Sequence, residues 1–166
     1  MERLWAPWRL QYVTQEKPSG CIFCEKPKAG DDQANLIVHR GQWAFVMLNT
    51  FPYNNGHLMV APYAHLADLE VLPAETLHDM MDLAQLAIRA LKAKFRPDGL
   101  NLGLNLGAAA GAGIKDHLHL HLVPRWVGDT NFMPVIGDVR VIPQSLEESY
   151  RLLREAFAEL ESGKED

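Results

Sequence analysis

The sequence predicts an α+β domain built on an antiparallel sheet, and three observations carry that prediction. Apolar, strand-like runs lie on both sides of one strongly periodic helical segment. That segment, between Pro73 and Phe95, is the clearest helix in the chain, and a second amphipathic helix follows near the end. At 166 residues the chain is long enough for one such domain with a buried core. Hydrophobic residues at 48% and charged residues at 22% put it among globular rather than disordered chains. Residues 1–20, rich in Trp, Pro and Arg, read as an irregular arm, and residues 21–166 as a single domain.

Each element has its own signal. Leu36-Ile37-Val38 and the run from Trp43 to Leu48 read as two strands joined across Arg40-Gly41-Gln42. After a turn cluster from Asn49 to Gly56, His57-Leu58-Met59-Val60-Ala61 reads as a third strand closed by Pro62. In the long helix, Pro73 sits where a first-turn proline is tolerated, and Leu77, Met80, Met81, Ala84, Ile88, Leu91 and Phe95 recur at helical spacing. Arg96-Pro97-Asp98-Gly99 ends it. A strand over Leu100–Leu106, a loop of small residues from Gly107 to Gly113 and a strand over His117–Val123 follow, which makes about five strands. Residues 124–144 read as loop with a short strand at Val139–Ile142. The last helix opens on a capping box, Ser145-Leu146-Glu147-Glu148, and carries a stripe of Leu146, Tyr150, Leu153, Phe157 and Leu160.

Composition narrows the function classes. No apolar run approaches the roughly 18–20 residues that span a bilayer, and the first residues lack the apolar stretch of a signal peptide, so a soluble cytoplasmic protein is expected. The net charge of −5, with no stretch that concentrates Lys and Arg, disfavours long nucleic acid as a partner. A small phosphorylated ligand stays compatible, because backbone N–H groups hold phosphate without net positive charge. The only cysteines, Cys21 and Cys24, stand as Cys-x-x-Cys, which leaves half a metal site, a redox pair or two inert thiols as readings.

The chemistry concentrates in His117-Leu118-His119-Leu120-His121-Leu122-Val123. Alternation on a strand puts the three histidines on one face, roughly 6–7 Å apart in succession, and the three leucines on the other, against the central helix. Three imidazoles in a row make poor core filling, since a buried polar atom without a partner costs about 1–3 kcal/mol. Besides an exposed row, two chemical readings stay open: a metal held by His-x-His, or a histidine nucleophile or base positioned by its neighbours. Immediately upstream, Asn105 leads into Gly107–Gly113, a run of small residues whose backbone can approach an anion.

These residues resemble the histidine triad (HIT) superfamily. The triad with its upstream Asn105 and glycine-rich turn, the following Pro124-Arg125, and Cys21-Ile-Phe-Cys24, Asn49, Gly56-His57-Leu-Met-Val-Ala-Pro62 and His65 fall in family order. The arm from Leu4 to Arg9 and the segment from Pro124 to Phe132 are similar to the bacterial branch that contains diadenosine tetraphosphate phosphorylases. The resemblance implies a HIT-like fold and an enzyme in which His119 attacks the α-phosphorus of an adenine dinucleotide to form adenylyl-His119. It implies that His121 contacts the scissile phosphate and that His57 supports the triad. Asn49 is similar to a ribose-binding position and Asn105 to one on ribose or phosphate, while Gly111 and Gly113 would offer backbone donors. It further implies a structural zinc on Cys21, Cys24, His65 and His117, no catalytic metal or organic cofactor, inorganic phosphate as co-substrate, and a homodimer.

The sequence departs from the family pattern at two places. Gly113-Ile114 stand where many relatives carry Gln followed by Ser or Thr, and the small glycine would leave room for an incoming phosphate. Tyr63 stands where many have Lys. His39 and His78 fit no motif and read as surface residues. The alternatives that share the adenylyl-histidine are a dinucleoside polyphosphate hydrolase and an adenosine phosphoramidate hydrolase. Two from other classes are a nucleotide-sensing module with negligible turnover and a metalloenzyme with catalytic zinc on all three triad histidines.

Overall fold

A strand that is apolar on both faces needs cover on both sides, and the second and third strand runs are buried at every position. The computed structural model, which describes residues 20–129 and 142–163, supplies that cover. Its strands are β1 (Ile37–Arg40), β2 (Ala44–Leu48), β3 (Leu58–Pro62), β4 (Gly99–Leu104) and β5 (Leu120–Arg125). They pair antiparallel throughout, in the order β1-β2-β3-β5-β4. The helices are α1 (Ile22–Glu25), α2 (Ala74–Phe95) and α3 (Leu146–Ser162). The architecture is the predicted α+β one, with a central and a C-terminal helix on a five-stranded sheet.

One face of the sheet packs against α2 and α3. Val38, Val46, Leu58, Val60, Leu120 and Leu122 meet Met80, Leu83, Ala84, Ala87 and Leu91 of α2 and Leu153, Ala156 and Phe157 of α3. Each large side chain buried this way contributes about 1.5–3 kcal/mol. The other face, with Ile37, Phe45, Met47, Met59 and Ala61, is covered by Phe23 of α1. Leu120 and Leu122 therefore point toward the helices as predicted, and His121, paired with Met59, points to the face under α1.

Several expectations are corrected. The buried line of α2 runs through Thr76, Met80, Leu83, Ala84, Ala87, Ala90 and Leu91, whereas Leu77 and Met81 are 38% and 46% exposed. Alanines at 84, 87 and 90 let the helix sit close to the sheet, so it turns its small face inward and leaves two large side chains at the flank. Pro73 is the residue before the helix rather than its first turn. β5 starts at Leu120, so His117 and His119 lie on an extended approach to it, and there the Leu118 N–H donates to the Leu66 carbonyl at 2.7 Å. Only half of the capping box forms: the Glu148 N–H donates to Ser145 Oγ at 3.2 Å, while the Glu148 carboxylate takes Arg151 instead.

His39 is not a surface residue. A bulge between Ile37 and His39 shifts the register, so His39 pairs with Val46 and turns to the helix side. There it stacks on Phe157 at 5.0 Å, with the Glu161 carboxylate 3.6 Å away. His78 is exposed as read. The predicted arm, apart from Gly20, and residues 139–141 of the predicted short strand lie outside the described residues.

Candidate functional site

The triad strand, the β2–β3 turn and α1 meet on the face of the sheet away from the long helices. His117, His119 and His121 are all buried, as is His57, the residue that leads into β3. An exposed histidine row is thereby overturned, and the burial makes the protonation of each ring a structural question. A buried imidazole needs a partner for each nitrogen, and the partners here define the tautomers.

The Tyr53 N–H donates to His57 Nδ1 at 3.1 Å, so His57 carries its proton on Nε2. That nitrogen stands 2.9 Å from His121 Nδ1 and donates to it. His121 is then protonated on Nε2, which leaves it a donor. His119 runs the other way: its Nδ1–H donates to the His117 carbonyl at 2.9 Å, so its Nε2 holds a free lone pair. His117 donates from Nε2–H to the Pro62 carbonyl at 2.8 Å and keeps its lone pair on Nδ1. The row thus offers one nucleophilic nitrogen beside one N–H donor, with the two rings 4.8 Å apart.

Burial is the first cause of every pKa shift in this group. It pulls His57 down to about 3, with His121 and His119 adding to it, and His121 down to about 4, with His119 adding. His119 is lowered by burial and partly restored by the His117 carbonyl. All three are neutral at neutral pH, the state in which His119 is nucleophilic.

The second constellation adjoins the first. Cys21 Sγ, Cys24 Sγ, His65 Nδ1 and His117 Nδ1 lie within 4.8 Å of one another. His117 Nδ1 is 3.2 Å from Cys21 Sγ, 3.5 Å from Cys24 Sγ and 3.3 Å from His65 Nδ1, and His65 Nδ1 is 3.3 Å from Cys24 Sγ. Zn–N bonds of about 2.0–2.1 Å and Zn–S bonds of about 2.3 Å set tetrahedral edges of roughly 3.3–3.8 Å, which these separations match. The group could hold a metal ion, and two thiols and two imidazoles, with no fifth donor among the described residues, suit a closed zinc site. A redox pair is disfavoured, since Cys21 caps a helix of only four residues and burial pushes the Cys24 thiol up rather than down. Catalytic zinc on all three triad histidines is also disfavoured. His117 Nδ1 faces the cysteines, while the Nδ1 atoms of His119 and His121 are spent on a carbonyl and on His57.

The remaining predicted residues fall around this core. Asn49 lies beside His57: its Oδ1 accepts from the Phe51 N–H at 2.9 Å and its Nδ2 is 3.4 Å from His57 Nδ1. Asn105 follows directly on β4, one step past the Leu104–Leu120 pair, and so leads toward His119. The Gly111 N–H donates to the Ala108 carbonyl at 3.0 Å, so the donor assigned to Gly111 is spent within its own turn. Gly113 has open space around it, with nothing within 4 Å of a Cβ built there. Tyr63 stacks on Phe45 at 5.3 Å, which gives it a packing role on the α1 side.

Three contributors were not foreseen. Phe23, buried between the two cysteines, packs on His117 and His119 at 5.2 and 4.7 Å. Tyr53 lies over His57 and His121. Asp129 accepts from the Asn54 amide at 2.8 Å and from Arg125 Nε at 2.7 Å, tying the β2–β3 turn to the end of β5. The hydrophobic spacing of Cys-Ile-Phe-Cys was the only sequence signal for Phe23. A tyrosine in a turn cluster gave none.

A buried row of alternating histidines on an antiparallel sheet, with a glycine-rich turn before it, defines a histidine triad protein. The HIT domain model matches residues 31–127, and the chain belongs to that family. It is 42% identical to an AP-4-A phosphorylase of Mycobacterium tuberculosis over 95% of this chain and 85% of that protein. It is 34% identical to the adenosine 5'-monophosphoramidase HNT1 of Saccharomyces cerevisiae over 69% of this chain and 72% of that protein. Among solved structures, a Zn-bound histidine triad family protein from Mycobacterium smegmatis superposes with a TM-score of 0.71 and is 34% identical, covering 87% of this chain and 97% of that one.

Acid should unfold the protein through His57 and His121. Their folded pKa values, about 3 and about 4, lie below the ~6.5 of an unfolded-chain histidine. Between pH 6.5 and 4 the unfolded chain therefore binds protons that the folded chain refuses. Stability is complete above pH 6.5 and is lost as pH falls through the window, by about 2 kcal/mol at pH 5 for each histidine that stays neutral. Urea unfolding at pH 7.5 and pH 5 measures the decline, and H57Q should flatten it; an unchanged slope in H57Q would refute the assignment.

Proposed function

We propose that the protein is a diadenosine tetraphosphate phosphorylase. His119 Nε2 attacks an α-phosphorus of the dinucleotide, the bond from that phosphorus to the bridging oxygen breaks, and ATP leaves. Inorganic phosphate then attacks the α-phosphorus of adenylyl-His119, the P–N bond breaks, and ADP forms. His121 Nε2–H donates to an oxygen on the phosphate, where charge develops in transfer, and His57 holds His121 in that state. Asn49 and Asn105 contact the ribose or phosphate, and the backbone at Gly113 faces the anion.

The observation that carries this reading is the pairing of opposite tautomers: His119 presents a lone pair and its neighbour His121 presents a proton. Identity of 42% to an AP-4-A phosphorylase over nearly the whole chain supports the substrate and the phosphate acceptor. The open space at Gly113 supports room for that acceptor.

Incubation with diadenosine tetraphosphate, with and without phosphate, is the test. ADP plus ATP, formed only with phosphate, is expected. AMP plus ATP regardless of phosphate would make the protein a hydrolase, and turnover of adenosine phosphoramidate alone would align it with the yeast relative. H119A should fold normally and lose about 10³-fold or more in kcat; wild-type-like turnover in it would end the covalent mechanism.

Zinc on Cys21, Cys24, His65 and His117 would be structural, pinning the segment around α1 to the triad strand. Wild-type protein should carry one zinc per chain by elemental analysis. C24S should lose it, with a lower thermal midpoint, and unchanged metal content in C24S would remove the site.

A homodimer fits two features among the described residues. β4 is an edge strand with Leu102 exposed, and α2 presents Leu77 and Met81. Sedimentation should give twice the 18.7 kDa chain mass, and L102K should shift it toward monomer; a wild-type monomer would refute it. A cytoplasmic setting fits two cysteines that are not joined in a disulfide, and no helix among the described residues is long and apolar enough to cross a membrane.

A further inference from the structure

Five aromatic rings run in one row through the site. Phe23, His119, His121, His57 and Tyr53 have centroids 4.7, 4.8, 5.1 and 4.6 Å apart in succession. The three histidines have roles in the proposed reaction and Phe23 is a core ring, but Tyr53 is neither. It is 46% exposed, so core packing does not account for its place. Yet it meets the histidines in two independent ways. Its main-chain N–H donates to His57 Nδ1 at 3.1 Å. Its ring lies over His57 at 4.6 Å and over His121 at 5.7 Å, inclined by 39° and 27°.

The turn that carries Tyr53 is itself tied down. Asn49 Oδ1 takes the Phe51 N–H. The Asn54 amide donates to the Pro124 carbonyl at 3.1 Å and to Asp129 at 2.8 Å, and the Asn55 amide donates to Gln144 at 3.0 Å. Tyr53 therefore sits in a turn that is braced internally on its N-terminal side and tied to β5 by its C-terminal neighbour Asn54.

The orientation of His57 matters because it sets that of His121. With Nδ1 occupied by the Tyr53 N–H, His57 can only donate from Nε2, His121 can only accept on Nδ1, and His121 Nε2 must bear the proton. Were His57 to flip or change tautomer, His121 would donate back from Nδ1. Its Nε2 lone pair would then face the phosphate oxygens, a repulsive contact where a donor is needed. The Tyr53 ring, 4.6 Å from that of His57 and inclined by 39° to it, occupies space that such a flip would have to sweep.

We propose that Tyr53 is a positioning residue, whose main-chain N–H and ring together hold the His57–His121 couple in the one arrangement that turns a proton toward the substrate phosphate. The proposal rests on the phosphoryl-transfer reading of His119 and His121. The hydroxyl takes no part in it.

The test compares Y53A and Y53F with wild type, using diadenosine tetraphosphate and phosphate for kinetics and nitrogen-15 spectra of the imidazoles in ligand-free protein for tautomers. Wild type should show His57 and His121 each as a single Nε2–H tautomer. Y53A should lose about tenfold in kcat with KM within about twofold, keep its zinc, and show mixed tautomers at both histidines while His119 is unchanged. Y53F should restore both readouts. The proposal is overturned if Y53A keeps single tautomers, if it keeps wild-type kcat, or if Y53F is as impaired as Y53A, which would make the hydroxyl the working group. Y53L serves if Y53A does not fold. Should wild type not turn over the dinucleotide, the functional reading fails, and the ligand-free spectra still decide the role of Tyr53.

Discussion

The hydrogen bond from His117 Nε2–H to the Pro62 carbonyl is the contact on which the rest of the site depends. It ties the approach to β5 to the end of β3, ahead of the point where the strand ladder takes over. It fixes the His117 proton on Nε2, which leaves Nδ1 to face the two cysteines and His65. It also orients the backbone of His117, whose carbonyl takes the Nδ1–H of His119. One residue thus joins the Cys–His cluster with its ring and holds His119 with its main chain. On the proposed reading, the first histidine of the row would serve structure while the second would serve chemistry.

The sheet divides the labour between its faces. Toward α2 and α3 it is a dry aliphatic core, where alanines permit close approach and long-range packing supplies the stability. Among the described residues the opposite face is covered by the short helix α1, whose one large aromatic, Phe23, is shared between the apolar layer and the histidines. Because α1 has only four residues, it cannot hold itself in place by its own backbone hydrogen bonds. Closure of the Cys–His cluster around a metal is the physical means that would keep it there. Neutral imidazoles follow from the same burial, so the conditions that on the proposed chemistry would prepare His119 for attack also make the fold sensitive to acid.

Much of this was legible in the sequence, for reasons that are themselves physical. Period-two alternation over residues 117–123 does not depend on the ladder, so the histidines share a face even though β5 begins only at Leu120. The helices announced themselves by period and by Ser145. Other features depend on partners far away along the chain. Period 3.6 identifies a helix but not which flank of a broad stripe is buried, so the spacing of Leu77 and Met81 does not reveal that they lie on the exposed flank. Alternation through β1 is broken by a bulge that no residue type demanded, and His39 turned to the core as a result. A glycine-rich turn can consume its own donors, as Gly111 does. The cluster of Cys21, Cys24, His65 and His117 was reached by resemblance to a family, since spacing alone cannot bring residues 21 and 117 together.

The protein carries a net charge of −5, and among the described residues the triad face is lined by imidazoles and backbone rather than by a cluster of Lys and Arg. Arg125, the basic residue at the end of β5, is already engaged by Asp129 and Asn101. What the site offers instead is a set of fixed dipoles, and on the proposed chemistry these favour the reacting state over the bound one. In the ground state His119 is neutral and its Nδ1–H bond to the His117 carbonyl is an ordinary one. As Nε2 bonds to phosphorus the ring becomes an imidazolium, the bond to that carbonyl becomes charge-assisted and about twice as strong, and the new positive charge lies against the phosphate oxygens. His121 Nε2–H gains in the same step, as negative charge builds on the oxygen it faces. Interactions that strengthen only as the bond forms lower the barrier without tightening the hold on substrate, and a buried neutral pair of imidazoles is a low-dielectric setting in which that difference is large.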